Sequence, residues 1–326
     1  MLVLNNIFSK VVQNIISKAL LTCKIILLIF ILLYPQEMLS ASRNGLMLWF
    51  NNVLPVLLPF IVIVNFLAAF GFIQMVARWV SPLMKHIFKL PGAGGFAIIC
   101  GLISGYPMGA KTVADLHRDG EINLKEAQRL LAFCNNAGPL FIVGVVGVAF
   151  LGNAAAGYVL WGGHVGAAIF MGIVTGWFSK YDGQTGGKRA SSKAMPKPPI
   201  GKALGESVKN AMEALVVVGG LIIFFSVVTK VVVMHVGDVP FIGVIAGAIE
   251  ITNGVKLLAD ASVGVISPSL MAAVGGVVAF GGLSVHAQAL HFTAGTGIKG
   301  GIYILHKLLH GIIAAGMTWV FWSLYS

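Results

Sequence analysis

Apolar residues recur in long, nearly unbroken runs along this chain, and short polar or glycine–proline clusters punctuate them. The first twenty residues differ. Leu4, Ile7, Phe8, Val11, Val12, Ile15, Ile16 and Leu20 fall on one helical face, with Asn, Gln, Ser and Lys on the other. Such a pattern predicts an amphipathic helix lying in a membrane interface. The run after Lys24, "IILLIFILLYP", predicts a first span, and a cleaved signal segment is its alternative. Further runs predict spans at 45–72 (broken by Pro55 and Pro59), 138–152, 155–178, 211–235, 264–285 and 301–324. Two shorter apolar stretches, 94–110 and 241–257, run into glycine-, proline- and charge-containing sequence. They predict segments that enter the membrane and return.

Composition agrees with a bilayer environment. Of 326 residues, 57% are hydrophobic and only 10% charged, against about 25% charged in soluble domains. The net charge of +11 gathers beside the apolar runs, as the positive-inside pattern requires, and does not point to nucleic acid. Residues 180–210 hold seven Lys/Arg against two acids and predict a cytoplasmic linker. Cys23, Cys100 and Cys134 show no paired spacing and predict neither disulfide nor metal site.

A weak duplication adds topology. "GAKTVAD" from Gly109 matches "GVKLLAD" from Gly254, 145 positions on, and "AFCNNAGPLF" from Ala132 aligns with "AFGGLSVHAQ" from Ala279, 147 positions on. With the basic linker inside, the two copies take opposite orientations, which is the mark of inverted-repeat transporters. The expected fold is therefore an all-α polytopic membrane protein. It has about seven transmembrane helices, two re-entrant hairpins in an inverted-topology repeat, and the N-terminal interfacial helix. The expected units are residues 1–40 (amphipathic helix and first span), 41–178 (first repeat), 179–205 (basic linker) and 206–326 (second, inverted repeat).

Four clusters carry candidate chemistry. In "SGYPMGAK", Ser104, Gly105, Pro107 and Gly109 break a helix and free backbone N–H groups. Lys111 beside them either attracts an anion or snorkels to the interface. A P-loop is excluded, because Ala110 stands where GxxxxGK[ST] needs glycine. In "CNNAGP", Asn135 and Asn136 demand hydrogen bonds in an apolar setting, while Gly138 and Pro139 interrupt the helix. They suit a polar solute or a cation, or else cap a helix start. Glu250, with Thr252 and Asn253, lies inside an apolar run, and an intramembrane carboxylate suggests function by default. A helix break is expected at Asn253-Gly254. In "FGGLSVHAQ", Ser284, His286 and Gln288 share a face only if the backbone is extended, and no nucleophile constellation accompanies them, so no enzyme is expected. His306 and His310 lack a third ligand and predict a surface or packing role.

Together "GYPMGAK", "RLLAFCNNAGPLFIVG", "EITNG" and "FGGLSVHAQ" resemble the Gate, or nucleoside-recognition, domain family, with its sporulation integral membrane branch (YlbJ) as the nearest part. The resemblance covers most of residues 45–310. It implies a membrane transporter whose solute meets Ser104, Gly105, Pro107, Gly109, Lys111, Asn135, Asn136, Gly138, Pro139, Glu250, Asn253, Ser284 and His286; the neighbouring Thr252 joins them from the residues alone. The leading expectation is a carrier of a small, polar, anionic organic solute, dipicolinate-like in the sporulation branch. The alternatives are a cation-coupled nucleoside or nucleobase transporter, and a non-transporting membrane scaffold or sporulation factor. No resident cofactor or metal is expected, and Na⁺ or H⁺ is the candidate coupling ion. The expected partners are the solute and the lipid bilayer, and a homo-oligomer is compatible with both. The expected location is the bacterial cell membrane, as a multi-pass protein, or the outer forespore membrane for a sporulation member.

Overall fold

A computed structural model describes residues 25–177, 198–237, 239, 241–262 and 264–326, with the side chains of 73, 74, 76 and 77 excepted. The amphipathic helix of the first twenty residues, Cys23 and most of the basic linker lie outside the described residues. Within them the chain is helical and contains no strand. A helical stretch over residues 25–33 leads into α1 (Pro35–Leu48). A π-helical turn, Trp49–Val53, then passes into α2 (Leu54–Ala69). The chain therefore does not stop at Pro55. The missing proline N–H falls at the start of α2, where no intrahelical donor is needed, and the wide turn upstream absorbs the mismatch. Pro59 sits inside α2. After α3 (Phe72–His86) come α4 (Gly94–Ser104) and α5 (Met108–Arg118), then α6 (Leu124–Cys134), a π-helical segment Leu140–Phe150, and α7 (Ala154–Trp177). The second half runs α8 (Ile200–Val236), α9 (Ile242–Ile249), α10 (Ile251–Ala261), α11 (Pro268–Phe280), α12 (Gly282–Thr293) and α13 (Gly300–Tyr325).

Five stretches among the described residues are long and apolar enough to cross a bilayer: Pro35–Ala69, Ala154–Trp177, Ile200–Val236, Pro268–Thr293 and Gly300–Tyr325. Among the described residues, one of the expected spans does not reach that length. The 138–152 run forms only the short π-helical segment Leu140–Phe150, separated from α6 by the Asn135–Pro139 break. Of the run after Lys24, residues 25–33 are helical, and the residues before them lie outside the described ones. Helices α1 and α8 run uninterrupted through residues 40–41 and 205–206.

The order of elements recurs. Each half contains a folded-back pair of short helices (α4–α5, α9–α10), an interrupted helix (α6 with Leu140–Phe150, α11 with α12), and a long helix (α7, α13). Close glycine contacts hold both pairs. A Cβ on Gly101 would run into the Cys134 carbonyl and would stand 3.4 Å from Gly109 Cα. A Cβ on Gly254 would overlap Gly247 and come within 2.8 Å of the Gly243 carbonyl. Only hydrogen side chains allow such backbone approaches. The start of α6 carries a reciprocal cap: Glu126 N–H donates to Asn123 Oδ1 at 3.0 Å, and Asn123 N–H donates to Glu126 Oε2 at 2.8 Å.

Candidate functional site

The interruptions of the short helices meet. Gly105, in the turn between α4 and α5, has φ of 74°, and a Cβ there would stand 2.8 Å from the Gly138 nitrogen. Left-handed backbone and close approach both require glycine, so the first break packs directly on the Asn135–Pro139 break. In the second half, α9 ends at Ile249 and α10 begins at Ile251. Glu250 between them is extended, with φ of −141° and ψ of 117°. The break therefore falls at Glu250, not at Asn253-Gly254. Those two residues are helical, and Gly254 serves the crossing with α9.

A cavity of about 80 Å³ lies where these breaks converge. Ser104, Gly105, Gly138, Glu250, Thr252 and Ser284, all expected from sequence, line it, and Tyr106, Ala137, Phe141 and Gln288 join them. Apolar side chains of α2 and α8, such as Phe60 and Leu221, form the remaining wall. Glu250 is 1% exposed and held on both oxygens. Oε2 accepts the Asn253 N–H at 2.7 Å, and Oε1 accepts the Thr252 hydroxyl at 3.1 Å. Ser284 and Gln288 reach the cavity together because α12 is helical and they stand one turn apart, so no extended backbone is needed. His286 lies elsewhere on that helix, between Phe280 and Tyr303 with ring centroids at 4.7 and 5.4 Å. It is buried, and neither ring nitrogen has a partner.

Other expected residues support the site from behind. Gly109 lies within α5, where a Cβ would press on the Cys134 carbonyl and on Asn135 Cα. Asn135 is fully buried; its Oδ1 accepts the Ala110 N–H at 3.3 Å, and its Nδ2 donates to the Tyr303 hydroxyl at 2.8 Å. Asn136 Nδ2 donates to the Phe133 carbonyl at 2.7 Å, while its Oδ1 has no partner. Pro107 and Pro139 precede α5 and the Leu140–Phe150 segment.

Lys111 does not reach the cavity. It is half exposed and pairs with Asp115 at 3.2 Å. Its counterpart Lys256 pairs with Asp260 in the same way, one helical turn on. Lys256, Asn253, Asn44, Asn51, Ser226 and Thr229 instead border a second, larger cavity of about 540 Å³ between α1, α8 and α10. Asn253 links the linings of the two. Asn253 Nδ2 donates to Ser226 Oγ at 2.7 Å, and the Asn253 N–H is the one that Glu250 accepts.

Behind the Asn135–Pro139 break stands a group that the sequence expectations missed. Lys307 and His310 of α13 and His164 of α7 are buried to 1% exposure or less. Lys307 Nζ donates to the Asn135 carbonyl at 3.0 Å, and the Ala137 N–H donates to His164 Nε2 at 3.2 Å. Of the surface and packing roles expected for His310, the structure gives it the interior one. The signal was available: a lysine inside an apolar span, flanked by histidines in "HKLLH", is an intramembrane ionisable group.

Comparison with known proteins bears on this geometry. The Gate family, described as nucleoside recognition, matches residues 50–154, which include the first pair of breaks and not the second. The "Sporulation integral membrane protein YlbJ" of Bacillus subtilis (strain 168) is 31% identical over 323 aligned residues, 89% of this chain and 79% of that protein. No solved structure matches the chain significantly.

Proposed function

Because this chain belongs to the family of the sporulation integral membrane protein YlbJ and carries the Gate, or nucleoside-recognition, domain, we propose that it carries a small polar organic solute across a bacterial membrane. The supporting observation is the convergence of three backbone interruptions on one cavity holding a buried carboxylate. Irregular backbone at bilayer depth is tolerated where it lines such a cavity, and carriers built from inverted repeats bind there. In this reading α4–α5 and α9–α10 are re-entrant hairpins entering from opposite faces. The polar cavity beside Asn253 is the vestibule, and the Asn253–Ser226 hydrogen bond is the barrier the solute passes.

The lining bears on solute class. Glu250 accepts hydrogen bonds, Ser104, Thr252 and Ser284 donate or accept them, and Gln288 does both. No Lys, Arg or His is among the lining residues. This chemistry favours a neutral solute that presents hydroxyl or ring N–H donors, as a nucleoside does, over the anionic solute expected first. An anion such as dipicolinate would meet Glu250 unscreened unless a proton or cation accompanied it. Chemistry on the solute is not part of this reading. The membrane is the cell membrane or, following the relative's sporulation role, the outer forespore membrane.

Binding to purified protein separates these readings. Uridine should raise the melting temperature, and Glu250→Gln should sharply reduce that rise; dipicolinate should raise it less. Stabilisation by dipicolinate alone would restore the anionic solute. No response to either, together with no uptake into liposomes, would favour a scaffold.

A further inference from the structure

The cluster on α13 contains chemistry that the cavity does not use. None of the five ion pairs among the described residues includes Lys307. Besides the Asn135 carbonyl, its Nζ meets His310 Nδ1 at 2.8 Å and stands 5.5 Å from the centre of the Tyr106 ring. An ammonium group only donates. With Lys307 protonated, His310 Nδ1 is therefore the bare nitrogen and that imidazole is neutral. The His310 proton then sits on Nε2, which faces the His164 carbonyl at 3.1 Å. The next ring follows the same logic. His164 Nε2 accepts a backbone N–H, so its proton is on Nδ1, which is buried and has no partner.

The result is an ammonium between neutral groups at bilayer depth. The titratable groups around it are Tyr106 from the α4–α5 turn, Cys134 of α6, His164 of α7, His286 of α12, and Tyr303 and His310 of α13. None is a carboxylate. Passing the proton from Lys307 to His310 relocates the charge without removing it, so only release of the proton makes the cluster neutral. A lysine that merely capped the end of α6 would use the Asn135 carbonyl, since helix C-termini favour cations. Capping alone explains neither the imidazole acceptor nor the unpartnered His164 nitrogen.

We propose that Lys307, His310 and His164 form a proton-binding site that loads and unloads one proton during the transport cycle. The proposal rests on the carrier reading above. One N–H bond forms as the cluster takes a proton from water on one side, and one breaks as it returns that proton to water on the other. Two contacts tie its occupancy to the solute cavity. Tyr106, whose ring faces Nζ, lines that cavity, and so does Ala137, which donates to His164. Loading the site thus bears on the positions of both breaks in the first half.

The test uses the full chain in liposomes containing a pH-sensitive dye, with uridine and, separately, dipicolinate added outside. Solute entry should change the internal pH. Lys307→Met should retain downhill exchange of labelled solute and lose the pH change. His310→Gln, which keeps a donor for the His164 carbonyl but holds no exchangeable ring proton, should do the same and serves if Lys307→Met does not fold. Uptake by the parent without any pH change overturns the proton site and leaves the carrier reading intact, as does an unchanged proton signal in both variants. If neither solute enters, the carrier reading fails, and potentiometric titration of detergent-solubilised protein decides the site on its own. One proton equivalent missing from Lys307→Met supports it, and identical curves overturn it.

Discussion

The carboxylate of Glu250 caps the helix that Asn253 belongs to: Oε2 accepts the Asn253 N–H at 2.7 Å, one turn into α10. This bond gives Glu250 a structural role alongside any role toward solute, and substitutions separate the two. Glu250→Gln keeps a carbonyl oxygen for the cap and removes the charge. Its melting temperature should stay close to that of the parent. Solute binding should weaken by about tenfold or more, the 1.5–3 kcal/mol of one hydrogen bond to a charged group. Glu250→Ala should also lose the cap and melt lower, by about 1 kcal/mol. Paired uptake and melting measurements check both. A Gln variant that melts far below the parent yet transports normally when folded would leave Glu250 only its structural role.

Gly254 should tolerate no side chain. Its Cβ would overlap Gly247 across the α9–α10 crossing, where backbone and not a flexible side chain blocks the way. Gly254→Ala should destabilise by about 1–3 kcal/mol, the range for overpacking. Gly162→Ala is the matched control: it lies in α7 with nothing within 4 Å of its added Cβ. It should be neutral or gain up to about 1 kcal/mol from helix propensity. Thermal melts in one detergent compare the two, and equal effects would contradict the crossing.

These residues show how far local sequence signals reach. Polar and glycine positions inside apolar runs located the breaks, and the broken runs brought Ser104, Gly105, Gly138, Glu250, Thr252 and Ser284 to one cavity. The cap at Asn123 was legible because Glu126 follows at capping-box spacing. Asn253-Gly254 misled because a dipeptide that ends a helix in a turn also suits a helix crossing, and only the partner backbone at Gly247 tells them apart. Ser284, His286 and Gln288 share one face only in extended backbone, whereas Ser284 and Gln288 alone, one turn apart, fit a helix face. The role of Lys307 was hidden for another reason. "HKLLH" marks an ionisable group inside an apolar span, but Asn135 and Tyr106, which Lys307 meets, are remote in sequence, so the break it supports is not legible there.

Lys111 should be dispensable for solute binding. It pairs with Asp115 on a half-exposed helix face, away from the cavity lining. Lys111→Gln should change stability by less than about 0.5 kcal/mol, the worth of an exposed i,i+4 pair. Affinities for uridine and dipicolinate should be unaltered. A selective loss of dipicolinate binding would return Lys111 to the solute site.

The two hairpins should end on opposite sides of the membrane. Their second arms, α5 and α10, carry the same Lys–Asp pair one turn apart, at 111–115 and 256–260. Each arm runs from its break toward an exposed end, Asp119 after α5 and Ala261 at the close of α10. The basic linker fixes the absolute orientation, because Lys and Arg are retained on the cytoplasmic side. A cysteine at Ser192 should therefore react with an impermeant maleimide only in inside-out vesicles. One at Asp119 should behave the same way, since α5 belongs to the hairpin facing the linker side. One at Ala261 should react only in right-side-out cells. Cys100 and Cys134 are buried and contribute little background. If Asp119 and Ala261 label from the same face, the two halves are parallel, and a solute reaching Glu250 would have no symmetric exit through the first pair of breaks.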